Sequence, residues 1–337
     1  MMRAPIAGSI STATLSALRP YYCLMSKSPA VILGKPLASP ARNSPPERGC
    51  IRVATVQEKW QGSIDLQKEA LELHVKNAVA HDAQFIAFSE MTLSPYLCFT
   101  LKEKSQIEWN PENFENGPSL SFMRQLSSQN NIFIVASLYE ANNDGLGYNT
   151  AFGVAPSGEV LFKQRKTHLP ITAGYYEDSW FSPEESGNYQ IQSAEFLGAK
   201  WGAPTCWDQW FPELARMYGL AATDILVYPT AIGSEPDFVD FDTAPMWRTM
   251  MISHAIANGM AVIAPNRVGV EGPNTFYGTS FICDQYGRVL VEADRSTSTT
   301  LIADIDLDAK RDWLTLFPFF ETRRPDLYGA ITKEKHV

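Results

Sequence analysis

The stretch MWRTMMISHAIANGMAVIAPN, residues 246–266, combines a helix, a stop signal and an apolar strand. Residues 246–259 are rich in helix-forming and apolar side chains, and Gly259 stands where helices commonly end. The run that follows, 260–266, opens with consecutive apolar residues and predicts a buried strand. A strand that directly follows a helix is typical of α/β proteins, in which helices cover the sheet.

The same alternation of strands and helices extends in both directions along the chain. Strands are predicted at 51–57, 84–90, 132–140, 224–231 and 300–307, helices at 63–83, 119–131 and about 211–222, and hairpins at 148–166 and 276–293. The hairpins require antiparallel pairs, so we predict a mixed sheet covered by helices. No linker interrupts 51–330, which we therefore expect to form one domain.

The first 50 residues differ in composition from the rest of the chain. They carry six basic residues and one acidic residue, whereas the remainder carries 22 basic and 36 acidic residues. We predict that 1–50 is an N-terminal extension, either disordered or a targeting leader, with no fold before about Cys50. Residues 331–337 are predicted to be a C-terminal tail. We expect a cytoplasmic location, with an organelle as the alternative if 1–50 acts as a transit peptide.

The composition argues against several classes of protein. A net charge of −9 is unfavourable for general nucleic-acid binding. No apolar run approaches the roughly 18 residues of a membrane span. The five cysteines include no C-x-x-C pair, and no histidines have the H-x-x-x-H spacing of a zinc site. We therefore expect no nucleic-acid or membrane partner, no bound metal and a reducing compartment.

Three predicted strand ends carry reactive side chains. Glu90 follows the run FIAFS, Lys166 follows the hairpin arm VLFKQR, and Cys206 follows WGAPT. Side chains at the ends of α/β strands converge on ligands, so these three residues could meet in the tertiary fold. Each also has a structural interpretation: a packed cysteine, a glutamate that caps the next turn, and a solvated lysine.

A cysteine, a glutamate and a lysine suffice for acyl transfer without histidine or metal. The glutamate takes the thiol proton and later donates it to a leaving amine. The lysine ammonium and backbone N–H groups beyond the nucleophile stabilise the oxyanion. Because Cys206 precedes a predicted helix, we expect those N–H groups and the helix dipole to favour the thiolate.

Five segments of the sequence are distinctive in combination: FSEMTLSPYLC, KQRKTHLP, CWDQWFPELAR, YPTAIGSEPD and RRPDLY. Together they resemble the nitrilase (carbon–nitrogen hydrolase) superfamily, nearest its N-carbamoylputrescine amidase branch. The similarity extends from about Arg52 to Tyr328. It implies a four-layer αββα sandwich, assembly into homodimers or larger homo-oligomers, and no cofactor.

The resemblance also implies roles for individual residues. The Glu-Lys-Cys triad of the family corresponds to Glu90, Lys166 and Cys206. A second family glutamate, which helps to position the substrate and the proton-transfer network, corresponds to Glu177.

Three further residues are predicted to bind the substrate. Trp207 would fill space beside the nucleophile and lend its backbone N–H. Asp208 would either cap the helix or contact the substrate. Glu235, beyond the strand ILVYPTA, would either bind a charged end of the substrate or lie in a solvated loop.

The sequence also departs from the family pattern near the nucleophile. Pro204 removes a backbone donor from the segment before Cys206, so we expect that strand end to be bent. The segment FDTAPMW, residues 241–247, differs from the corresponding segment of the branch. The wall of the pocket is therefore expected to differ as well.

We predict a cysteine-dependent hydrolase of non-peptide carbon–nitrogen bonds. The expected substrates are N-carbamoyl amines similar to N-carbamoylputrescine, or small linear amides, which react through an acyl-thioester and release ammonia. One alternative is a nitrilase with the same triad, and another is a non-catalytic scaffold with a blocked pocket. The aromatic and basic segment FPFFETRRPDLYG is expected to pack against a partner subunit.

Overall fold

Strands dominate the part of the chain that the computed structural model describes, residues 28–143, 145–184 and 190–333. In chain order they are β1 (Ala30–Leu33), β2 (Cys50–Gln57), β3 (Phe85–Ala87), β4 (Phe133–Ala141), β5 (Gly147–Val154), β6 (Val160–Arg165), β7 (Ile171–Thr172), β8 (Tyr175–Tyr176), β9 (Ser193–Phe196), β10 (Ala199–Gly202), β11 (Ile225–Val227), β12 (Ala261–Ala264), β13 (Val268–Glu271), β14 (Asn274–Tyr277), β15 (Phe281–Cys283), β16 (Val289–Glu292) and β17 (Thr299–Asp306).

Thirteen of the described strands form two mixed sheets. The first has the order β1-β17-β2-β3-β4-β5-β6, and the second has the order β16-β15-β12-β11-β10-β9. Two short hairpins, β7-β8 and β13-β14, lie outside these sheets. Neither of these two hairpins was predicted from the sequence. The predicted hairpin at 148–166 corresponds to β5-β6 in the first sheet.

The described chain contains five α-helices. They are α1 (Ile64–Ala80), α2 (Pro118–Asn130), α3 (Pro212–Leu220), α4 (Ala244–Asn258) and α5 (Ala309–Leu316). Two helix boundaries have local causes in the sequence. The Ser63 side chain accepts a hydrogen bond from the Leu66 N–H and so caps α1. Gly259 ends α4 in the left-handed conformation, at φ 60°.

The hydrophobic core has three layers between four layers of secondary structure. Side chains of both sheets meet in the central layer, where the rings of Phe85 and Trp201 stack with centroids 4.3 Å apart. Residues of α1 and α2 pack on the outer face of the first sheet, and residues of α3 and α4 on the outer face of the second. The fold is therefore the four-layer αββα sandwich that was predicted. None of the described helices is both long and apolar enough to cross a membrane.

The chain before Cys50 differs from the prediction. Strand β1 pairs in parallel with β17 at the edge of the first sheet. Arg42 contacts Asp306 at 2.6 Å and Asp312 at 2.9 Å, and Arg48 contacts Asp224 at 2.7 Å. A composition averaged over 50 residues concealed a short apolar strand and two arginines with acidic partners. The remainder of the predicted extension, residues 1–27, lies outside the described residues.

These contacts predict that residues 28–48 contribute to stability. A variant that begins at Gly49 should be less stable than one that begins at Ser28, because it lacks β1 and both arginine clusters. We expect the shorter variant to lose about 2 kcal/mol in its free energy of unfolding. A loss of that size lowers the melting temperature of a domain this large by roughly 4–8 °C. Differential scanning calorimetry of the two variants measures the difference, and equal melting temperatures would contradict the role given to β1.

Candidate active site

The fold brings Glu90, Lys166, Glu177 and Cys206 together from separate elements. Glu90 lies three residues beyond β3, Lys166 directly follows β6, and Cys206 lies four residues beyond β10. Glu177 begins a short 3₁₀ turn after β8. All four side chains are buried, and none exposes more than 5% of its surface.

Lys166 lies between the two glutamates. Its Nζ is 2.8 Å from Glu90 Oε1 and 2.6 Å from Glu177 Oε2. Burial alone would lower the pKa of Lys166, but the adjacent charges of Glu177 and Glu90 outweigh it, so the pKa is raised well above its ordinary value. The interpretation of Lys166 as a solvated surface charge is therefore wrong.

The buried cluster contains one more carboxyl group than ammonium groups. Glu177 accepts hydrogen bonds from Lys166 Nζ and, at 3.1 Å, from the Tyr96 hydroxyl. Burial nevertheless raises the pKa of Glu177, and the nearby charge of Glu90 adds to the increase. The site therefore favours retention of a proton, as acid–base chemistry near neutral pH requires.

Cys206 is held in a left-handed backbone conformation with φ 42°. Its N–H donates to the Pro229 carbonyl at 2.9 Å, and the backbone N–H of Ala231 donates to its thiol. The Glu90 N–H donates to the Thr230 carbonyl at 3.4 Å. The segment that follows β11 therefore holds both the sulfur-bearing residue and the adjacent carboxylate.

The surroundings of Cys206 favour the thiol over the thiolate. Burial raises the pKa of Cys206 well above its ordinary value, and the negative charge of Glu90 raises it further, while Lys166 opposes both effects. The expected contribution of a helix dipole is not supported, because Cys206 opens a five-residue 3₁₀ turn and α3 begins only at Pro212. Activation of this thiol requires a base, and a preformed thiolate is not indicated.

Glu90 has one oxygen that is free to act as that base. Its Oε1 accepts hydrogen bonds from Lys166 Nζ and, at 2.6 Å, from Asn149 Nδ2. Its buried Oε2 has no hydrogen-bond partner among the described residues. A carboxylate with one oxygen held and the other unpartnered has an oriented site for a proton.

Asp208 caps the turn that contains the nucleophile. Its Oδ2 accepts hydrogen bonds from the backbone N–H groups of Thr205 (3.0 Å) and Thr167 (3.3 Å). Its Oδ1 accepts from both the backbone N–H and the ring Nδ1 of His168. The side chain is 1% exposed, so both oxygens are used inside the protein. Of the two roles considered for Asp208, the geometry supports the cap and not the substrate contact.

The expected bend at Pro204 does not involve the sheet. Strand β10 ends at Gly202, before the proline, so no ladder hydrogen bond is lost. Trp247, in the divergent segment 241–247, is buried and donates its indole N–H to Gln209 at 2.7 Å. This tryptophan therefore belongs to the packing beneath the turn of Cys206.

Trp207 and Glu235 lie at the less buried side of the site. Both side chains are partly exposed, and the Trp207 ring packs edge-on against Trp210. Burial raises the pKa of Glu235, whose Oε1 accepts a hydrogen bond from the Thr243 hydroxyl. Burial also raises the pKa of Tyr175, and the nearby Glu235 carboxylate raises it further, as Cys206 would in its thiolate form. Glu235 and Cys206 therefore both lie near this tyrosine.

Two residues that sequence reasoning missed organise the site. Asn149 contacts Glu90, as described above. Arg267, 3% exposed, donates to the carbonyls of Glu90, Met91 and Ser94 and contacts Glu271 at 2.6 Å. The only sequence signal was a polar residue within the strand β5 for Asn149 and one just beyond the apolar strand β12 for Arg267. In the described ranges, no group of three or more His, Cys, Asp or Glu residues is arranged to hold a metal ion.

The αββα sandwich and the buried Glu-Lys-Cys cluster define a hydrolase of the nitrilase type. Residues 52–314 match the family model described as carbon–nitrogen hydrolase. This chain therefore belongs to the carbon–nitrogen hydrolase family, and it is an amidase-type enzyme.

The relatives of this chain include enzymes with two different names. A citrullinase of Francisella tularensis subsp. tularensis is 34% identical, over 84% of this chain and 99% of that protein. An N-carbamoylputrescine amidase of Arabidopsis thaliana is 36% identical, over 83% of this chain and 94% of that protein. A solved carbon–nitrogen hydrolase from Helicobacter pylori G27 superposes with a TM-score of 0.75 at 29% identity, covering 85% of this chain and 100% of that one. The predicted family and fold are thus confirmed.

Proposed function

We propose that this enzyme hydrolyses N-carbamoyl amines that carry a cationic end, through an acyl-thioester on Cys206. The observation that carries the proposal is the buried cluster in which Lys166 joins Glu90 to Glu177 beside a thiol. Two relatives bear the names of enzymes whose substrates are ureido compounds, which supports this substrate class.

In the acylation step, Glu90 Oε2 takes the proton from the Cys206 thiol, and the thiolate attacks the ureido carbon. The Lys166 ammonium and the Trp207 N–H stabilise the oxyanion. The intermediate then expels ammonia, which receives the proton from Glu90, and a carbamoyl-thioester remains.

In the deacylation step, Glu90 removes a proton from water, and the resulting hydroxide attacks the thioester carbon. The carbon–sulfur bond breaks and the sulfur regains a proton from Glu90. The carbamic acid product decomposes to carbon dioxide and the amine. Glu177 is a positioning residue in this scheme, because its two oxygens are already occupied. Oε1 accepts a hydrogen bond from the Tyr96 hydroxyl, and Oε2 accepts one from Lys166 Nζ.

The charge beside the site favours an amine over an amino acid at the far end of the substrate. The segment 235–242 contains four carboxylates and no basic residue. Asp242 is paired with Arg295 at 2.7 Å. Glu235 is half-buried, and within the described ranges its carboxylate has no cationic partner and accepts a hydrogen bond from the Thr243 hydroxyl at 3.3 Å. Glu235 is therefore the carboxylate that we assign to the ammonium of the substrate.

Ammonia release from N-carbamoylputrescine, citrulline, propionamide and propionitrile tests the proposal. We expect the highest kcat/KM with N-carbamoylputrescine. In the variant Glu235→Gln, KM for that substrate should rise about tenfold, because one hydrogen bond between charged groups is lost. Propionamide has no ammonium group, so its hydrolysis should be unchanged. Asp237→Asn, at an exposed position of the same segment, is the matched control.

Each other outcome of this panel has a definite meaning. Turnover of the nitrile alone would identify a nitrilase, and equal loss in both variants would remove the special role of Glu235. Labelling of Cys206 by iodoacetamide without turnover of any compound would favour the non-catalytic scaffold.

We further propose a homodimer or larger homo-oligomer. Phe317, Leu327, Tyr328 and Ile331 of the C-terminal segment are exposed apolar side chains, which supports an interface there. We also propose a cytoplasmic location. In the organellar alternative, a leader cleaved before Ser28 would leave the contacts of β1, Arg42 and Arg48 intact.

A further inference from the structure

Asn149 on β5 contacts two members of the proposed catalytic cluster at once. Its Nδ2 donates to Glu90 Oε1 at 2.6 Å, and its backbone carbonyl accepts from the Lys166 N–H at 2.8 Å. The residue is 1% exposed. One side chain and one carbonyl of the same residue therefore fix the distance between the carboxylate and the lysine backbone.

A closed ring of hydrogen bonds fixes the direction of the Asn149 amide. The Ser137 hydroxyl donates to Asn149 Oδ1 at 3.2 Å and accepts from the Met91 N–H at 3.1 Å. Because Met91 directly follows Glu90, the ring returns to the residue that it orients. An amide whose oxygen faces a donor must present its NH₂ group on the other side, toward the carboxylate.

We propose that Asn149 is a positioning residue that keeps Glu90 Oε2 available for the thiol proton. This inference rests on the proposed function, in which Glu90 is the base. Lys166 and Asn149 both donate to Oε1, while Oε2 has no partner among the described residues. Rotation of the carboxylate would break two hydrogen bonds on Oε1, so the unpartnered oxygen keeps one direction. Without Asn149, Lys166 would hold the Glu90 carboxylate less firmly, because the lysine ammonium also binds Glu177.

The test compares Asn149→Ala with Thr150→Val in the full chain. Thr150 is the next residue of β5, is also buried, and donates to Glu140 at 2.7 Å, outside the proposed cluster. Successive strand residues point to opposite faces, so the pair separates catalytic from purely structural effects. Asn149→Ala loses two buried side-chain hydrogen bonds and Thr150→Val loses one, so we expect a larger decrease in melting temperature for Asn149→Ala.

The kinetics of the two variants should differ. Asn149→Ala should lower kcat by about 10- to 100-fold with KM within about threefold, as expected when a reacting group is misplaced. Alkylation of Cys206 by iodoacetamide at pH 7 should slow to a similar degree. Thr150→Val should keep kcat and the alkylation rate within about twofold of the original protein. Ser137→Ala, which loosens the amide but keeps its NH₂ group, should lie between the two.

Two results would overturn the inference. The first is a kcat of Asn149→Ala that is no lower than that of Thr150→Val. The second is a higher KM of Asn149→Ala with an unchanged kcat. Cys206→Ala and Glu90→Gln are included in parallel to separate the two levels of the argument. Turnover by either of these would refute the proposed function, whereas their inactivity beside an active Asn149→Ala would refute only the role of Asn149.

Discussion

Replacement of Cys206 by alanine should abolish ammonia release, with kcat at least about 10⁴-fold lower and the fold intact. The size of the effect is that of removing a covalent nucleophile, after which only binding and oxyanion contacts remain. The substitution removes a single sulfur atom from a buried site, so little packing is lost. A coupled ammonia assay with N-carbamoylputrescine measures the activity, and calorimetry measures the stability.

Replacement of the same residue by glycine should give an equally inactive but more stable protein. Cys206 has φ 42°, a region in which a Cβ atom costs roughly 1–2 kcal/mol. Glycine adopts this conformation without that cost, so Cys206→Gly should exceed Cys206→Ala in the free energy of unfolding by about 1 kcal/mol. Urea denaturation of the two variants provides the comparison.

These two variants test different claims about one residue. Residual turnover above about 1% in Cys206→Ala would contradict the covalent mechanism. A glycine variant no more stable than the alanine variant would instead show that the left-handed conformation carries no strain. If both expectations hold, the protein retains backbone strain at this position because the chemistry requires a side chain there.

Much of the fold was predictable because local signals and burial agreed. The helix α4 ends where Gly259 supplies the left-handed conformation, and α1 begins where Ser63 supplies a cap. Strands with uniformly apolar residues, such as β12, were predictable because both of their faces are buried. Such signals lie within a few residues of the structure that they determine.

The parts that were not predicted depend on partners distant in sequence. Strand β1 is stabilised by β17, more than 260 residues later, and nothing in its four residues reveals that partner. The residues beside Asp208 in the sequence are compatible with either a cap or a substrate contact. The backbone N–H groups of Thr167 and His168, about 40 residues earlier in the chain, donate to its carboxylate and support the cap. Asn149 stood in a hairpin strand with no local sign that Glu90 would lie 2.6 Å away.

The triad residues were identified from the resemblance, but their electrostatics required the structure. A lysine written beside two other basic residues in KQRK is fully buried, while its neighbours Lys163 and Arg165 contact Glu140 at the partly exposed edge. The difference arises because Lys163 and Arg165 lie within β6, whereas Lys166 is the first residue beyond it.

Replacement of Lys166 by methionine should inactivate the enzyme and destabilise it by about 3–5 kcal/mol at pH 8. The ammonium is the only cation that contacts Glu177, and it also contacts Glu90, in the described structure. Removing one member of a buried ion cluster leaves the other charges uncompensated, which is the costly case. Lys163→Met is the matched control, because Glu140 retains Arg165 at 2.9 Å and the pair is partly exposed. We expect less than about 1 kcal/mol for that variant.

The destabilisation in Lys166→Met should decrease as the pH falls. Burial already raises the pKa of Glu177 above its ordinary value of 4.5, and loss of the neighbouring ammonium raises it further. A carboxyl group whose pKa is higher in the folded state stabilises the fold below its unfolded pKa, and this contribution is lost as pH rises through the folded pKa. Urea denaturation at pH 5, 6, 7 and 8 should therefore show the variant approaching the original protein toward pH 5. A variant whose deficit is constant, or grows toward low pH, would mean that Lys166 does not compensate buried carboxylates. In Lys166→Met/Glu177→Gln, which has no ionisable group at position 177, most of this pH dependence should be absent.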